Sequence, residues 1–532
     1  MKIKLLRVPH YSYIKQSNQK MKCENFPPLA PAVITSYLRG KGIGIEQDDL
    51  NVKVHYDNVY NTDYSGRVDG KIFHDKERVM NFINGSRDSE LENVGENILK
   101  KSNVDSFDLI LLSIPSLIDI SPLLSTLVIA KILKEKTGCK IIAGGGSGAE
   151  LEIGMREGII DYLGSEHGEV LSECFIRAVE SGRDVDNIPG LSYLKDGVMY
   201  SNPNTTPIVL PCPDFDGIPL DKYIWRDDFF TKKHNLEKRD ILILPFRHII
   251  GCPFRCAFCC ESAKEKNLVC LEATRAVDYI QSLSEKYRTN YFFFLHSTAN
   301  FSREFINAFC DEIIRRGLKL YWTDCANFTY LDKGILEKMR RAGAVRLIWG
   351  LETGSPRLLR YINKGITVQK AEEMLKIADD IGIWNGLEII AGLPGEKEED
   401  IRLTIDFLLR NESHIDTVFF NPYFLDGSSL MSKFPGRYGI TNVKPIHKYA
   451  SLKTRELVDN YPFNFAFDEI DGLKWEEKMK QIASSCTRVI TQTRGGFWSY
   501  ETESVLFYLY SLFDDKVKIK KLYNEWACEV SR

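Results

Sequence analysis

Gly251-Cys-Pro-Phe-Arg-Cys-Ala-Phe-Cys-Cys260 gathers four of the chain's thirteen cysteines into ten residues, three of them spaced Cys-x3-Cys-x2-Cys at Cys252, Cys256 and Cys259. Three thiolates on a short irregular loop can ligate three irons of a cubane and leave the fourth iron without a protein ligand. The same thiols suit a zinc site completed by His248 or His296, although the paired Cys-x2-Cys arms of structural zinc modules are missing. Simple core packing is a third use. Cys260 is a fourth candidate ligand, but adjacent residues on a tight loop rarely both reach one cluster. The other nine cysteines are scattered singly, in an odd total and without a secretory signal, which argues against a disulfide framework and for small buried hydrophobes.

Downstream of this loop, strand and helix signals alternate. A strand at 241–250 leads into the loop, a helix follows near 271–287, and a strand spans 291–295. Pairs follow at 318–326 with 332–342, 344–352 with 368–381 and 384–392 with 397–410, and a last strand covers 417–424. Six strands with intervening helices predict an α/β domain at 241–435, a partial (β/α)6 barrel opening toward its loops. From 436 to 532 the alternation stops and the pattern predicts helices carrying aromatic clusters, including Phe497-Trp498-Ser499-Tyr500. This helical C-terminal segment is expected to cap the barrel mouth, with Trp498 and Tyr500 as substrate contacts or core.

Upstream, residues 1–200 also alternate. The strand Ile3-Lys-Leu-Leu-Arg-Val8 leads to a helix entered at Pro31 and stopped by Gly40 and Gly42. Residues 51–104 are charged and Asn-rich and are expected to be an insertion containing a helix. Asp108-Leu-Ile-Leu-Leu-Ser113 is the continuous apolar strand of a doubly covered parallel sheet, and Cys139-Lys-Ile-Ile-Ala-Gly144 repeats it before Gly144-Gly-Gly-Ser-Gly148. This is a doubly wound, Rossmann-like unit whose ligands bind at the strand carboxyl ends. The Pro- and Asp-rich stretch 201–240 is the expected linker.

The chain of 532 residues is 44% hydrophobic and 27% charged, with a net charge of −3. That balance supplies no field for nucleic acid or anionic lipid. It leaves small molecules, lipids and peptides open as substrates. No apolar run approaches the ~20 residues of a membrane helix, and the opening MKIKLLRVPH lacks a cleavage site, so a cytoplasmic address is expected.

Over 241–430 these features resemble the radical S-adenosylmethionine (SAM) superfamily. Cys252, Cys256 and Cys259 match its 4Fe-4S motif, and Phe258 holds the aromatic position near the adenine. Gly350-Leu-Glu-Thr-Gly-Ser355 is similar to the segment whose glutamate sits by the SAM amino group, which implies that role for Glu352. Glu388-Ile-Ile-Ala-Gly-Leu-Pro-Gly395 is similar to the Gly-x-Ile-x-Gly-x-Pro-Gly motif against the adenine, with Ile390 and Gly392 in place but Glu388 where the first glycine belongs. Trp322-Thr-Asp-Cys-Ala-Asn327 falls where relatives put a polar residue on the ribose, Thr323, Asp324 or Asn327. His296, in Leu295-His-Ser-Thr-Ala-Asn300, departs from the acidic pattern of the second strand end. It is a candidate for substrate contact or proton transfer, or a structural histidine.

The first 200 residues resemble the cobalamin-binding domain that precedes the barrel in one branch of that superfamily. Pro27 to Gly42 is similar to its first-helix signature, 161–169 to its Gly-Glu-Gly-Glu segment, which points to Glu166, and Pro213-Asp-Phe-Asp216 to its linker. Ser113, Gly144 and Gly145 fall where the branch admits the nucleotide tail, glycine allowing close approach. The Asp-x-His-x-x-Gly that ligates cobalt is absent, and His10 does not fit it. A vestigial domain or a generic phosphate cradle remains open. The resemblance implies an enzyme that forms a 5'-deoxyadenosyl radical with an electron from a flavodoxin or ferredoxin, and a cobalamin-dependent methyltransferase acting on an unactivated carbon. Rearrangement, cyclisation or carbon-carbon coupling on the same domains is the alternative, and a non-catalytic iron-sulfur or zinc protein another.

Overall fold

The computed structural model describes residues 1–11, 25–60, 68, 70–115, 120–145, 149–165, 167–263, 268–445, 464–493, 499 and 501–530. They divide into two compact units, Met1–Tyr223 and a second that begins at Ile224.

In the first unit the strands β1 (Ile3–Arg7), β2 (Ile45–Asp49), β3 (Leu109–Ser113), β4 (Lys140–Gly144), β5 (Tyr162–Gly164), β6 (Leu191–Lys195) and β7 (Val198–Ser201) form one sheet in the order β2-β1-β3-β4-β5-β6-β7. The first five are parallel, and β6 and β7 add an antiparallel edge. The order reverses between β1 and β3, the mark of a doubly wound sheet. The helix Ser121–Thr137 reads apolar all round because it is covered twice, by the sheet and by the helices Lys76–Ile83 and Ser89–Leu99. Those two, with Leu50–Tyr60, build the 51–104 region; Asp75 and Asp88 cap their N-termini, and only one face of each is buried, hence the charged composition. The Pro- and Asp-rich strap stays on this unit as far as Tyr223. Arg39 Nη1 lies 2.6 Å from Asp214, and the Tyr223 hydroxyl donates to buried Asp49 at 2.6 Å.

The second unit is built on β8 (Ile243–Phe246), β11 (Tyr291–Phe294), β12 (Tyr321–Ala326), β13 (Ala344–Glu352), β14 (Trp384–Ala391) and β15 (Thr417–Pro422), all parallel and in strict sequence order. An order that never reverses, with a helix after each inner strand, is that of a (β/α) barrel left open between β8 and β15. Two short strands, β9 (Ile249–Ile250) and β10 (Val269–Cys270), pair antiparallel across the cysteine loop.

Alternation gives each barrel strand two faces. One face of β13 and β14 carries Arg346, Ile348, Gly350, Glu352, Gly386, Glu388 and Ile390 into the lumen. The helix Thr502–Leu512, buried along its length, seals the end where the strands begin: Phe507 stacks on Tyr291 at 5.7 Å, Glu503 pairs with Arg346, and the Tyr510 hydroxyl donates to Gly382 O at 3.0 Å.

The helices expected after residue 436 are present at Trp475–Gln492, Thr502–Leu512 and Lys516–Val530. They are joined by strands not expected there: β17 (Ile440–Pro445) and β18 (Asn464–Glu469) pair antiparallel, with β16 (Leu425–Asp426) on the other side of β18. Trp498 and Tyr500 lie outside the described residues. No described helix is long and apolar enough to cross a membrane.

Candidate radical cofactor site

The cysteine loop leaves the carboxyl end of β8 and is tied down by its own backbone. Ala257 N donates to Ile362 O at 2.8 Å, Met431 N to Ala257 O at 3.0 Å, and the Asn363 side chain to Arg255 O at 2.8 Å. Cys256 is buried, and Cys252 and Cys259 are half-buried. Burial pushes the Cys252 and Cys256 thiols up, whereas a hydrogen bond from Cys260 holds the Cys259 thiol below its ordinary value. Cys260 is thereby raised and serves as Cys259's partner. Among the described residues no three His, Cys, Asp or Glu side chains gather as the ligands of a single ion. The donor set is three soft thiols on one loop, the chemistry that holds iron of an iron-sulfur cluster.

Glu352 ends β13 in a conformation that non-glycine residues rarely adopt, φ +71°, where the β13–β14 register shifts between Gly350 and Glu352. Such bulges re-aim side chains, and left-handed backbone at a non-glycine residue concentrates at functional sites. The carboxylate meets Lys364 Nζ at 2.7 Å, with both side chains 9% exposed. Burial works against the Lys364 ammonium, yet the facing charges of Glu352, Cys256 and Cys259 hold its pKa above the ordinary lysine value. Its nitrogen also lies 5.8 Å from the Phe258 ring. Gly350 leaves room for this pair: a Cβ there would stand 2.7 Å from both Glu352 Oε1 and Lys364 Nζ.

Deeper in the lumen, Thr323 and Cys325 of β12 sit beside Arg346 and Ile348 of β13. Burial pushes the Cys325 thiol up to about 12. Glu388 accepts from Asn421 Nδ2 at 2.6 Å. Burial, helped by Glu352, lifts its carboxyl to about 7. Ile390 packs with Phe258 in one apolar cluster around Leu358, Leu393 and Tyr423. Gly392, at φ +89°, lets the helix Trp475–Gln492 approach: a Cβ there would lie 2.2 Å from Ile482 Cγ1. Its N–H donates to Glu396 at 2.9 Å, and buried Lys478 binds Leu393 O at 2.8 Å and Glu469 at 2.9 Å, so helix and strand together fix the 392–395 turn.

Other sequence candidates lie elsewhere. Asp324 and His296 are fully buried on the opposite, helix-facing side of the sheet, Nδ1 to Oδ2 2.6 Å. His248 N donates to His296 Nε2 at 3.0 Å, so the imidazole carries its proton on Nδ1 and gives it to Asp324. Burial holds His296 down to about 3 and Asp324 up. Asn327 is buried in a turn, its side chain accepting from Thr329 N and its backbone N–H donating to Asn300. Of the three ribose candidates only Thr323 shares the lumen face.

In the first unit Ser113 pairs with Gly144 at the ends of β3 and β4. A Cβ on Gly145 (φ +103°) would stand 2.2 Å from Ile114 O, and one on Gly144 3.1 Å from Gly164 O. The chain's own backbone therefore already requires glycine at 145 and crowds any side chain at 144. Glu166 lies outside the described residues. His10 is buried, its N–H donating to Asn51.

Residues 246–408 match the radical SAM superfamily model. That stretch of the chain carries a radical SAM domain. It is similar to an uncharacterized methyltransferase of Pyrococcus horikoshii, 28% identical over 266 residues, which are 48% of this chain and 54% of that protein; the chain thus spans about half the length of that relative. It is also similar to the anaerobic magnesium-protoporphyrin IX monomethyl ester cyclase of Rubrivivax gelatinosus, 23% identical over 406 residues and 70% of each chain. Among solved structures, the fold matches the radical SAM methyltransferase TsrM from Kitasatospora setae with cobalamin and [4Fe-4S] cluster bound, at TM-score 0.61, 16% identity and 99% of both chains. It matches the cobalamin-dependent radical enzyme OxsB at TM-score 0.59, 14% identity, 99% of this chain and 71% of that one. These likenesses establish a shared α/β architecture.

Sequence reasoning did not find Lys364, Asn421 or the Arg346–Glu503 pair. Arg346 had a readable signal, a charge in the middle of the apolar strand Ala-Val-Arg-Leu-Ile. Lys364 had none, since Asn363-Lys-Gly365 reads as an ordinary turn.

Proposed function

We propose that this radical SAM enzyme transfers a methyl group to an unactivated carbon of a small organic molecule, with a corrinoid as second cofactor. Cys252, Cys256 and Cys259 would hold a 4Fe-4S cluster, and Glu352 would take the amino group of SAM. Phe258 and Ile390 would back the adenine, with the Gly392 turn beneath. When bound, the cluster supplies the electron that cleaves SAM, and the corrinoid supplies the methyl group. The chain's own part is to bind, orient and enclose. The apolar cluster around Phe258 and Ile390 keeps water off the adenine, and the buried helix Thr502–Leu512 closes the lumen floor.

The observation that carries the reading is Glu352. Its left-handed backbone costs on the order of 1–3 kcal/mol, and the bulge aims its carboxylate at an ammonium beside the three thiols. Lys364 there is the chain's own cation where a SAM ammonium would bind. The corrinoid is placed at the β1/β3 switch point, where doubly wound sheets bind ligands, beside Ser113, Gly144 and Gly145. Without the Asp-x-His-x-x-Gly motif, no histidine of this chain is assigned to cobalt. A flavodoxin or ferredoxin is the expected reductant.

The test is anaerobic purification with iron, sulfide and corrinoid quantified, then reduction with methyl-labelled SAM. The reading expects bound corrinoid and label in the product. Absence of corrinoid, with abundant 5'-deoxyadenosine, rejects methyl transfer while leaving radical chemistry in place. That result would favour the second reading, ring formation, which the 70% coverage of the Rubrivivax cyclase supports.

A further inference from the structure

The lumen below Glu352 is built like a binding site with its ligand removed. Its cations are matched by anions: Arg346 pairs with Glu503 and Lys364 with Glu352. Glu388, between them on the inward face of β14, forms no ion pair among the described residues; one oxygen accepts from Asn421 and the carboxyl stays partly accessible. A buried carboxylate is stable only with a counter-charge or full hydrogen bonding.

Two further lumen groups lack partners. Thr323 Oγ1 and Arg346 Nε are buried with no hydrogen bond, although their residues are 0% and 3% exposed. Native proteins rarely leave such atoms unsatisfied, and each orphan costs about 1–3 kcal/mol. The strand register puts Thr323 beside Arg346, one level below Cys325, and Glu388 beside half-exposed Phe419.

We infer that the lumen takes a substrate bearing a basic nitrogen, an amine or amidine, whose cation pairs with Glu388. The inference deepens the proposed function and rests on the lumen being the place where that enzyme holds its substrate. Aromatic lining by Phe293 and Phe419 suits a cation carried on a flat or apolar body. Raising the Glu388 carboxyl toward neutrality is what an empty site of this kind does, and an arriving cation reverses it. Glu352, Lys364, Arg346, Cys325 and Asn421 are the polar groups facing it, and none supplies a free positive charge.

The experiment uses four small probes of nearly equal size, benzylamine, benzamidine, benzyl alcohol and benzoate. Each is titrated by calorimetry into the reconstituted, unreduced enzyme with SAM present, at about pH 8, where a carboxyl of this kind is ionised. The two cations are expected to bind at least about tenfold more tightly than the alcohol, a gap of ~1.4 kcal/mol, with benzoate weakest. In Glu388→Gln, near in size and shape, the preference should collapse to within about twofold, and in the wild type it should shrink as pH falls toward about 6, as the carboxylate protonates. Benzoate binding as tightly as benzamidine overturns the inference. So does a preference that survives Glu388→Gln, or no binding of any probe. Cleavage of SAM by the wild type is measured separately: an enzyme that cleaves SAM but shows no cation preference refutes this inference alone, and one that binds cations but never cleaves SAM refutes the proposed function.

Discussion

The two faces of β12 both bury polar side chains, in different circumstances. Asp324, on the helix-facing side, accepts from Cys325 N at 2.7 Å and from His296 at 2.6 Å, and His296 is in turn engaged by His248 N. One residue to either side, Thr323 and Cys325 face the lumen, where Thr323 Oγ1 has no partner and the neighbouring Arg346 Nε is also unmatched. The satisfied pair reads as a rivet between strands; the unsatisfied face reads as a site. Both faces are buried, and His248, packed on His296 at 3.9 Å, also keeps both ring nitrogens without a partner, so what sets the lumen apart is that its face also carries the Glu388 carboxylate, which forms no ion pair among the described residues.

The largest effect expected is at the thiols. Cys256→Ala should leave the fold intact by circular dichroism but remove the cluster, lowering 5'-deoxyadenosine formation at least about a thousandfold, ~4 kcal/mol in barrier terms. On the other face, Asp324→Ala should cost about 3 kcal/mol of stability in urea unfolding, because it strands a buried imidazole N–H. It should move SAM affinity by no more than about twofold. A variant that keeps its stability and loses SAM would show that the faces have been assigned the wrong way round.

Between these lies the Glu352–Lys364 pair. Glu352→Gln and Lys364→Met should each destabilise by about 2–3 kcal/mol, since each leaves one buried charge alone. The double variant should recover part of that, a coupling of about 1–3 kcal/mol. Additive losses would mean that the two side chains do not act as a unit.

The smallest effect is a pH dependence. Glu388 is raised to about 7 and Glu396 likewise by burial. A carboxyl whose folded pKa is raised binds more protons in the native than in the unfolded state between about 4.3 and 7. Its contribution is therefore fully present below about 4.3 and is lost as pH rises through 7. Glu388→Gln should flatten that decline by about 1 kcal/mol, well under the full shift because the lumen is partly solvated. Thermal midpoints between pH 4.5 and 7.5 measure it, and an unchanged slope would contradict the placement.

Much of this was legible in the sequence where local pattern and chemistry coincide. The apolar run at 109–113 announced a doubly covered strand, and the cluster of cysteines at 252–260 marked the loop that leaves the carboxyl end of β8. Gly350-Leu-Glu-Thr-Gly-Ser marked a strand end. Glu388 was visible as a departure, an acid where a glycine belonged, but its isolation among matched ion pairs needed three strands in register. Lys364 was invisible, because its importance depends on a carboxylate twelve residues back and thiols a hundred residues away. Gly145 was legible for a different reason from the one the structure gives: its freedom first serves contact with Ile114 O. The β17–β18 pair was missed because short strands next to helices carry too little alternation to register.

The most direct test of the account is reduction of the anaerobically reconstituted chain with SAM, with 5'-deoxyadenosine quantified beside bound iron, for the wild type and for a variant with Cys252, Cys256 and Cys259 all changed to Ala. The account predicts about four irons and steady 5'-deoxyadenosine from the wild type, with both lost in the variant. Iron retained by the variant, or a wild type that binds its irons yet never cleaves SAM, would contradict it.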